Sequence, residues 1–297
     1  MKRLYVIVGP TAVGKTAAAI KLALHLNTEI VSCDSRQFYR ELNIGVARPS
    51  LEELASVKHH FIANRPVTQP YNIFDYEQEA LQLLKQLFLT HDCVVSAGGS
   101  GLYVDALCRG VNLLPDPSPE IRQKLSQMVA DGRLSEMLDE LHSRDPEYYA
   151  VVDRNNPMRV QRALETIIAS GGIPYSRLIN QRHAERPFQI VKIGLYCSRE
   201  TLRSRIDKRV EMMMQQGLLD EATSLLPFRH LNTLNTVGYK EIFDHIDGKT
   251  TLDQAIVEIK NHTWQYAKKQ QTWFKRYDEI SWVEREFFLK NYASFLK

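Results

Sequence analysis

Short unbroken apolar runs recur along this chain and alternate with longer stretches of helical spacing. Leu4-Tyr5-Val6-Ile7-Val8 reads as a buried strand, as do Ile30-Val31-Ser32-Cys33, Cys93-Val94-Val95-Ser96-Ala97 and Val191 to Tyr196, whereas Ala17 to Leu26 has a helix-forming composition. Strands that lack polar alternation are covered on both faces, which predicts parallel strands joined by helices in a three-layer α/β core. In such sheets ligands bind beyond the carboxyl ends of the strands, and Gly9, Asp34 and Ser100 each follow a strand, so they are expected on one edge.

The pattern changes at Leu113-Leu114-Pro115-Asp116-Pro117. From Pro119 to about Arg186 the spacing is helical and β-branched runs are few, which predicts a helical insertion over 113–187 within a core made of 1–112 and 188–297. Between Arg154 and Arg186 there are six arginines and only Glu165 and Glu185 to oppose them. A second basic stretch, Lys260 to Arg276, has five Lys or Arg and no acid, interleaved with Trp264, Tyr266, Trp273 and Phe274. On a helix, Ile259, Tyr266, Gln270, Trp273 and Tyr277 gather on a face expected to pack. Lys260, Trp264, Lys268 and Lys275 gather on the other, where a tryptophan among lysines suits phosphate contact and base stacking.

Composition narrows the class without choosing it. The chain has 297 residues, 44% hydrophobic and 25% charged, with a net charge of +3, too small to argue for nucleic acid by itself. Cys33, Cys93, Cys108 and Cys197 are far apart and form no C-x-x-C, so neither zinc nor a disulfide framework is expected. With no signal-peptide pattern and no apolar run near the roughly 18 residues of a membrane span, the expectation is a cytoplasmic protein that does not use a membrane.

The chemistry begins at Gly9-Pro10-Thr11-Ala12-Val13-Gly14-Lys15-Thr16, a complete G-x-x-x-x-G-K-T loop between the first strand and the first helix. Such a loop curls backbone N–H groups around an anion, Lys15 adds positive charge, and Thr16 offers a hydroxyl to Mg²⁺. Catalysis on a diphosphate or triphosphate also needs a carboxylate at a strand end and arginines that stabilise phosphoryl charge. Asp34 fits the first, either as a Mg²⁺ ligand or as a base. Arg203, Arg205 and Arg209 fit the second, although Arg205 could equally pair with a carboxylate.

Further motifs then occur in a specific order. Asp34-Ser35-Arg36-Gln37-Phe38-Tyr39 is followed by Asn43 to Pro49, Gly98-Gly99-Ser100-Gly101-Leu102-Tyr103, Arg205 to Arg209, Gly217 to Glu221, Val237-Gly238-Tyr239-Lys240-Glu241, and Tyr266 to Phe274. Over nearly its whole length the chain resembles the bacterial tRNA dimethylallyltransferases, which transfer a dimethylallyl group from its diphosphate to the adenine immediately 3′ of the anticodon. The resemblance implies a P-loop NTPase-like core and Mg²⁺ as cofactor, with dimethylallyl diphosphate and the tRNA anticodon stem-loop as partners. It implies that Gly9 to Thr16, with Arg205 and Arg209, hold the diphosphate. Asp34 would be the base and Lys15, Ser100 and Arg209 would share in catalysis. Ser35, Arg36 and Gln37 would meet the target base together with Asp34 and Ser100. Arg122, the run Met158, Arg159, Val160, Gln161 and Arg162, the segment with Gly238, Tyr239 and Lys240, and Lys268 would contact tRNA. Ser100 stands where many members have Thr, Trp264 where Arg is expected, and Lys269 where Arg is common.

Three other functions use some of the same parts. A small-molecule P-loop kinase would not need the basic sections, and an RNA-binding switch would leave Asp34 and the arginines unused. A prenyltransferase acting on a free adenine nucleotide would not need the anticodon-loop elements.

Overall fold

The computed structural model describes residues 1–179 and 185–296. Two compact units share the chain, one formed by 1–108 and 186–297 and the other by 109–185.

The first unit is built on a six-stranded parallel sheet: β1 (Arg3–Val8), β2 (Ile30–Ser32), β3 (His59–His60), β4 (Cys93–Ala97), β5 (Gln189–Tyr196) and β6 (Ile280–Glu284), in spatial order β3-β2-β4-β1-β5-β6. Its helices are α1 (Lys15–Leu26), α2 (Leu51–Ser56), α3 (Ile73–Thr90) and α4 (Gly101–Arg109), the last ending just past the division between units. On alternate positions of β1, Tyr5 and Ile7 join Ala18, Ala19 and Leu22 of α1 in one hydrophobic cluster, while Leu4, Val6 and Val8 are equally buried on the opposite face. Burial on both sides is the reason these strands read as continuous apolar runs. β3 and β6 are the two edges, and neither is among the expected strands. β3 is two histidines long, and β6 buries only Ile280 and Val283, with Ser281 and Glu284 exposed and Trp282 half-buried, so neither shows the apolar run of a central strand. His59 and His60 therefore lie on the sheet edge.

The second unit is helical: α5 (Pro119–Ala130), α6 (Leu134–Arg144), α7 (Pro146–Val151), α8 (Pro157–Ala169) and α9 (Tyr175–Ile179). Leu125, Met128, Met137, Leu141, Val160, Leu164 and Ile167 form its core. Buried Asp145 ties it together, accepting from Tyr148 N at 3.0 Å and from Ser176 N and Oγ at 2.8 Å each. These bonds satisfy a carboxylate that would otherwise be costly to bury.

The first unit continues through α10 (Arg199–Gln215), α11 (Leu218–Ser224), α12 (Tyr239–Ile246), α13 (Leu252–Phe274) and α14 (Arg285–Asn291). Along α13 the buried stripe is Ala255, Ile259, Ala267, Gln270 and Phe274. Two aromatic residues on this helix depart from expectation. Trp264, expected on the open basic face, is half-buried at the margin of the core, with the guanidinium carbons of Arg199 and Arg203 5.6 and 5.9 Å from its ring centroid. Tyr266, expected to pack, is 41% exposed because the helix passes there over the carboxyl edge of the sheet rather than over its core. Lys260 is also spoken for, donating to Glu211 Oε1 at 2.8 Å.

Candidate functional site

The chain leaves β1 at Gly9, whose φ of +143° and close approach to the Leu195 carbonyl leave no room for a side chain. Ala12 follows in the left-handed region at φ 65°, and Gly14 at φ 99° precedes α1. A non-glycine residue at such a φ costs about 1–2 kcal/mol, so the surrounding bonds must hold the loop in shape. Lys15 Nζ donates to Gly9 O at 3.0 Å and Pro10 O at 2.9 Å, folding its ammonium under the loop. From α10, Arg209 donates to Thr11 Oγ1 at 3.2 Å.

A cavity of about 730 Å³ opens here at the carboxyl edge of the sheet, within the first unit. Thr11, Ala12, Gly14, Lys15, Thr16, Asp34, Gln37 and Arg209 line it, with the segment from Asn43 to Leu54 forming its far wall. Loop, strand-end carboxylate and distant arginine therefore meet in one place although Arg209 lies far along the chain from the loop. Burial first, and the neighbouring Arg209 charge second, pull the Lys15 ammonium down to about 8, with Asp34 opposing. Burial likewise lowers the Arg209 guanidinium, against the attraction of Glu53 and Asp34. Two desolvated cations against one wall form a strong attractant for a polyanion.

The remaining expected residues separate by their surroundings. Ser100 Oγ accepts the Ser35 N–H at 3.0 Å and donates to the Ser35 hydroxyl at 3.1 Å, which joins the ends of β2 and β4. Arg36 N donates to Asp34 Oδ1 at 3.0 Å, and Arg36 Nε donates to Thr236 Oγ1 at 2.7 Å. Gln37 spends both amide hydrogens on Val46 O and Ala47 O, at 3.2 and 3.1 Å, so its own carbonyl is the polar group left to turn toward the cavity. Arg205 lies outside the cavity lining. It donates to Val13 O at 3.2 Å and pairs with Glu286 at 3.0 Å, the carboxylate partner that its position on α10 had left open.

Several residues expected at an RNA surface are interior. Tyr239 is 0% exposed, and its hydroxyl donates to Glu221 Oε1 at 2.7 Å. The same carboxylate accepts from Ile44 N at 2.8 Å and Gly45 N at 3.0 Å, so Tyr239 braces the cavity wall from behind rather than facing solvent. Gly238 is buried beside it and donates to Glu241 Oε2 at 2.7 Å, while Lys240 is exposed. On α8 the helical period divides the expected run: Met158 and Arg159 face outward and Arg162 is half-buried, whereas Val160 belongs to the core and Gln161 donates to Ser126 and Glu165. Arg122 and Lys268 are exposed. Arg182 of the arginine-rich section lies outside the described residues.

Two contributors escaped sequence reasoning. Tyr266 bonds with Ser100, and its phenol is pushed up to about 12 by desolvation and then by the Asp34 charge. Gln270 accepts the Thr11 N–H at 2.7 Å and donates to Gly99 O at 2.9 Å. A glutamine in the middle of an otherwise apolar buried stripe was the available sign, since a buried amide needs partners.

Fold and cavity together define an α/β protein with a P-loop-like core and a pocket suited to a substrate carrying phosphates. The sequence profile of the IPP transferase family matches residues 37–277. A tRNA dimethylallyltransferase of Christiangramia forsetii is 45% identical over 98% of this chain and 96% of its own, and tRNA dimethylallyltransferase 1 of Bacteroides thetaiotaomicron is 47% identical over 96% and 92%. The crystal structure of the full-length tRNA isopentenylpyrophosphate transferase of Bacillus halodurans superposes with a TM-score of 0.73 at 33% identity, covering 100% of this chain and 96% of that one. The same fold recurs in a eukaryotic dimethylallyltransferase acting on tRNA, with a TM-score of 0.79 at 24% identity over 99% of this chain and 77% of that one. The chain belongs to the IPP transferase family, and it is a prenyltransferase.

Proposed function

We propose that this enzyme transfers a dimethylallyl group from dimethylallyl diphosphate to the exocyclic amine of the adenine immediately 3′ of the anticodon, tRNA position 37, and releases diphosphate. The observation that carries the reading is the convergence of Lys15, Arg209 and Asp34 on one cavity. Two cations suit the diphosphate, and a carboxylate on the same wall suits an amine that must lose a proton.

An adenine amine is a weak nucleophile because its lone pair is delocalised into the ring. The favoured course lets the allylic C–O bond break early, its electron pair leaving with the diphosphate, while the amine nitrogen bonds to the freed carbon. Lys15, Arg209 and the loop N–H groups hold the charge that develops on the leaving oxygens, and Asp34 takes the proton that becomes acidic as the C–N bond forms. Thr16 supplies a hard oxygen donor in this cavity, which fits Mg²⁺ held mainly by substrate phosphates. Mg²⁺, when bound, would add charge neutralisation on the diphosphate.

A stacked anticodon-loop adenine cannot reach such a pocket, so the base must flip out, at a cost of about a few kcal/mol. Exposed Arg122, Arg159, Lys240 and Lys268 are assigned to the phosphate contacts that offset it. Offering unmodified tRNA and adenosine monophosphate as rival acceptors tests the reading. Product should form on tRNA alone, and efficient prenylation of the mononucleotide would overturn it.

A further inference from the structure

We infer that Gln270 is a positioning residue that sets the donor-binding loop and the Gly99-Ser100 turn in register with each other. The inference rests on the proposed function for its consequences and on geometry for its existence.

Gln270 is 6% exposed and sits on α13, far in sequence from both segments that it touches. Its carbonyl oxygen accepts the Thr11 N–H at 2.7 Å and its amide nitrogen donates to Gly99 O at 2.9 Å. One planar group thus closes the gap between the end of β1 and the end of β4, using its acceptor on one side and its donor on the other. Gly99 suits this, since a side chain there would collide with the Gln270 amide in its present position.

The two segments held are functional on both sides. Thr11 precedes Ala12, the left-handed non-glycine residue of the loop, and its hydroxyl accepts from Arg209. Gly99 precedes Ser100, which bonds to Ser35 next to Asp34. The amide therefore fixes, through Thr11, where the loop and Arg209 meet the diphosphate, and through Gly99 where Ser100 and Ser35 stand beside the base. Of the side chains nearest to it in shape, ionised glutamate loses the donor, methionine both, and asparagine the reach.

The test uses the full-length enzyme and the variants Gln270→Met and Gln270→Glu, each close in volume to glutamine. Calorimetry with inorganic diphosphate and Mg²⁺ reads the donor loop without any prenyl transfer, so it answers even if the acceptor has been misassigned. For Gln270→Met, diphosphate affinity should fall about tenfold and kcat with tRNA about ten- to a hundredfold, as expected for misplacement of groups away from the reacting atoms, while tRNA affinity stays within about twofold. For Gln270→Glu, a carboxylate faces the Gly99 carbonyl near neutral pH, and protonation restores a donor. Its kcat relative to the parent enzyme at the same pH should therefore rise as pH falls toward the glutamic acid range, a recovery that general loss of packing would not produce. Unchanged diphosphate affinity and kcat in Gln270→Met would overturn the inference, as would a flat pH ratio in Gln270→Glu. If only the melting temperature falls, Gln270 is a packing residue and the inference is likewise overturned.

Discussion

Lys15 and Arg209 are charges of the same sign on the wall of one cavity, and the arginine, after burial, is the second reason that the lysine ammonium is held down to about 8. Like charges are brought together at a structural cost where an anion will relieve their repulsion. The pair is the feature of the site that most directly specifies its ligand.

A lysine lowered in this way loses its charge as pH rises through about 8, well below its ordinary value. Donor kcat/KM should therefore fall above about pH 8, and diphosphate binding in that range should take up a proton, because the bound anion favours the ammonium. Calorimetry in buffers of different ionisation enthalpy reads that proton directly. Lys15→Ala should lower turnover by at least about a hundredfold, leave tRNA affinity intact and abolish the proton uptake.

Asp34→Asn keeps the shape of the side chain and much of its capacity to accept the Arg36 N–H, but it cannot take up the amine proton. Single-turnover rate should drop roughly a hundredfold to ten-thousandfold with donor affinity changed far less. Collapse of donor affinity with an intact chemical rate would make Asp34 a binding group instead.

Ion pairing divides the lysines of the stretch from Lys260 to Arg276. Lys260 donates to Glu211, whereas Lys268 and Lys275 are exposed. Replacing Lys268 and Lys275 with Ala should weaken tRNA binding and flatten its dependence on salt, by somewhat under about one unit of log–log slope for each phosphate that is no longer neutralised. Lys260→Ala should change the slope little. Equal effects from all three would contradict the division.

Tyr239→Phe removes the hydroxyl that Glu221 accepts while the carboxylate still braces Ile44 and Gly45. Stability in urea should fall by about 1–3 kcal/mol, the range for a buried group left short of a partner, with tRNA affinity little altered. Full stability with weakened tRNA binding would return Tyr239 to the RNA surface.

The central strands and the phosphate loop were legible in the sequence because double-sided burial and the loop's backbone geometry each impose local residue patterns. Edge strands β3 and β6 were not, since an edge needs few apolar residues and neither segment has a run of them. Among site residues the same limit applies. Lys15, Asp34 and Arg209 carry charge in motif positions, whereas the direction of Tyr239, Val160 and Gln161 depends on which elements pack over them. Gln270 and Tyr266 were hidden for a related reason. Their roles arise where α13 crosses the ends of β1 and β4, a tertiary juxtaposition that helical periodicity alone does not encode.

Nucleoside-resolved mass spectrometry tests the central claim most directly. Unmodified tRNA, incubated with the enzyme, dimethylallyl diphosphate and Mg²⁺, should gain one dimethylallyl group on the adenosine immediately 3′ of the anticodon, with release of an equal amount of diphosphate. Unmodified tRNA after incubation with the folded enzyme, or the group found on another nucleoside, would contradict the account.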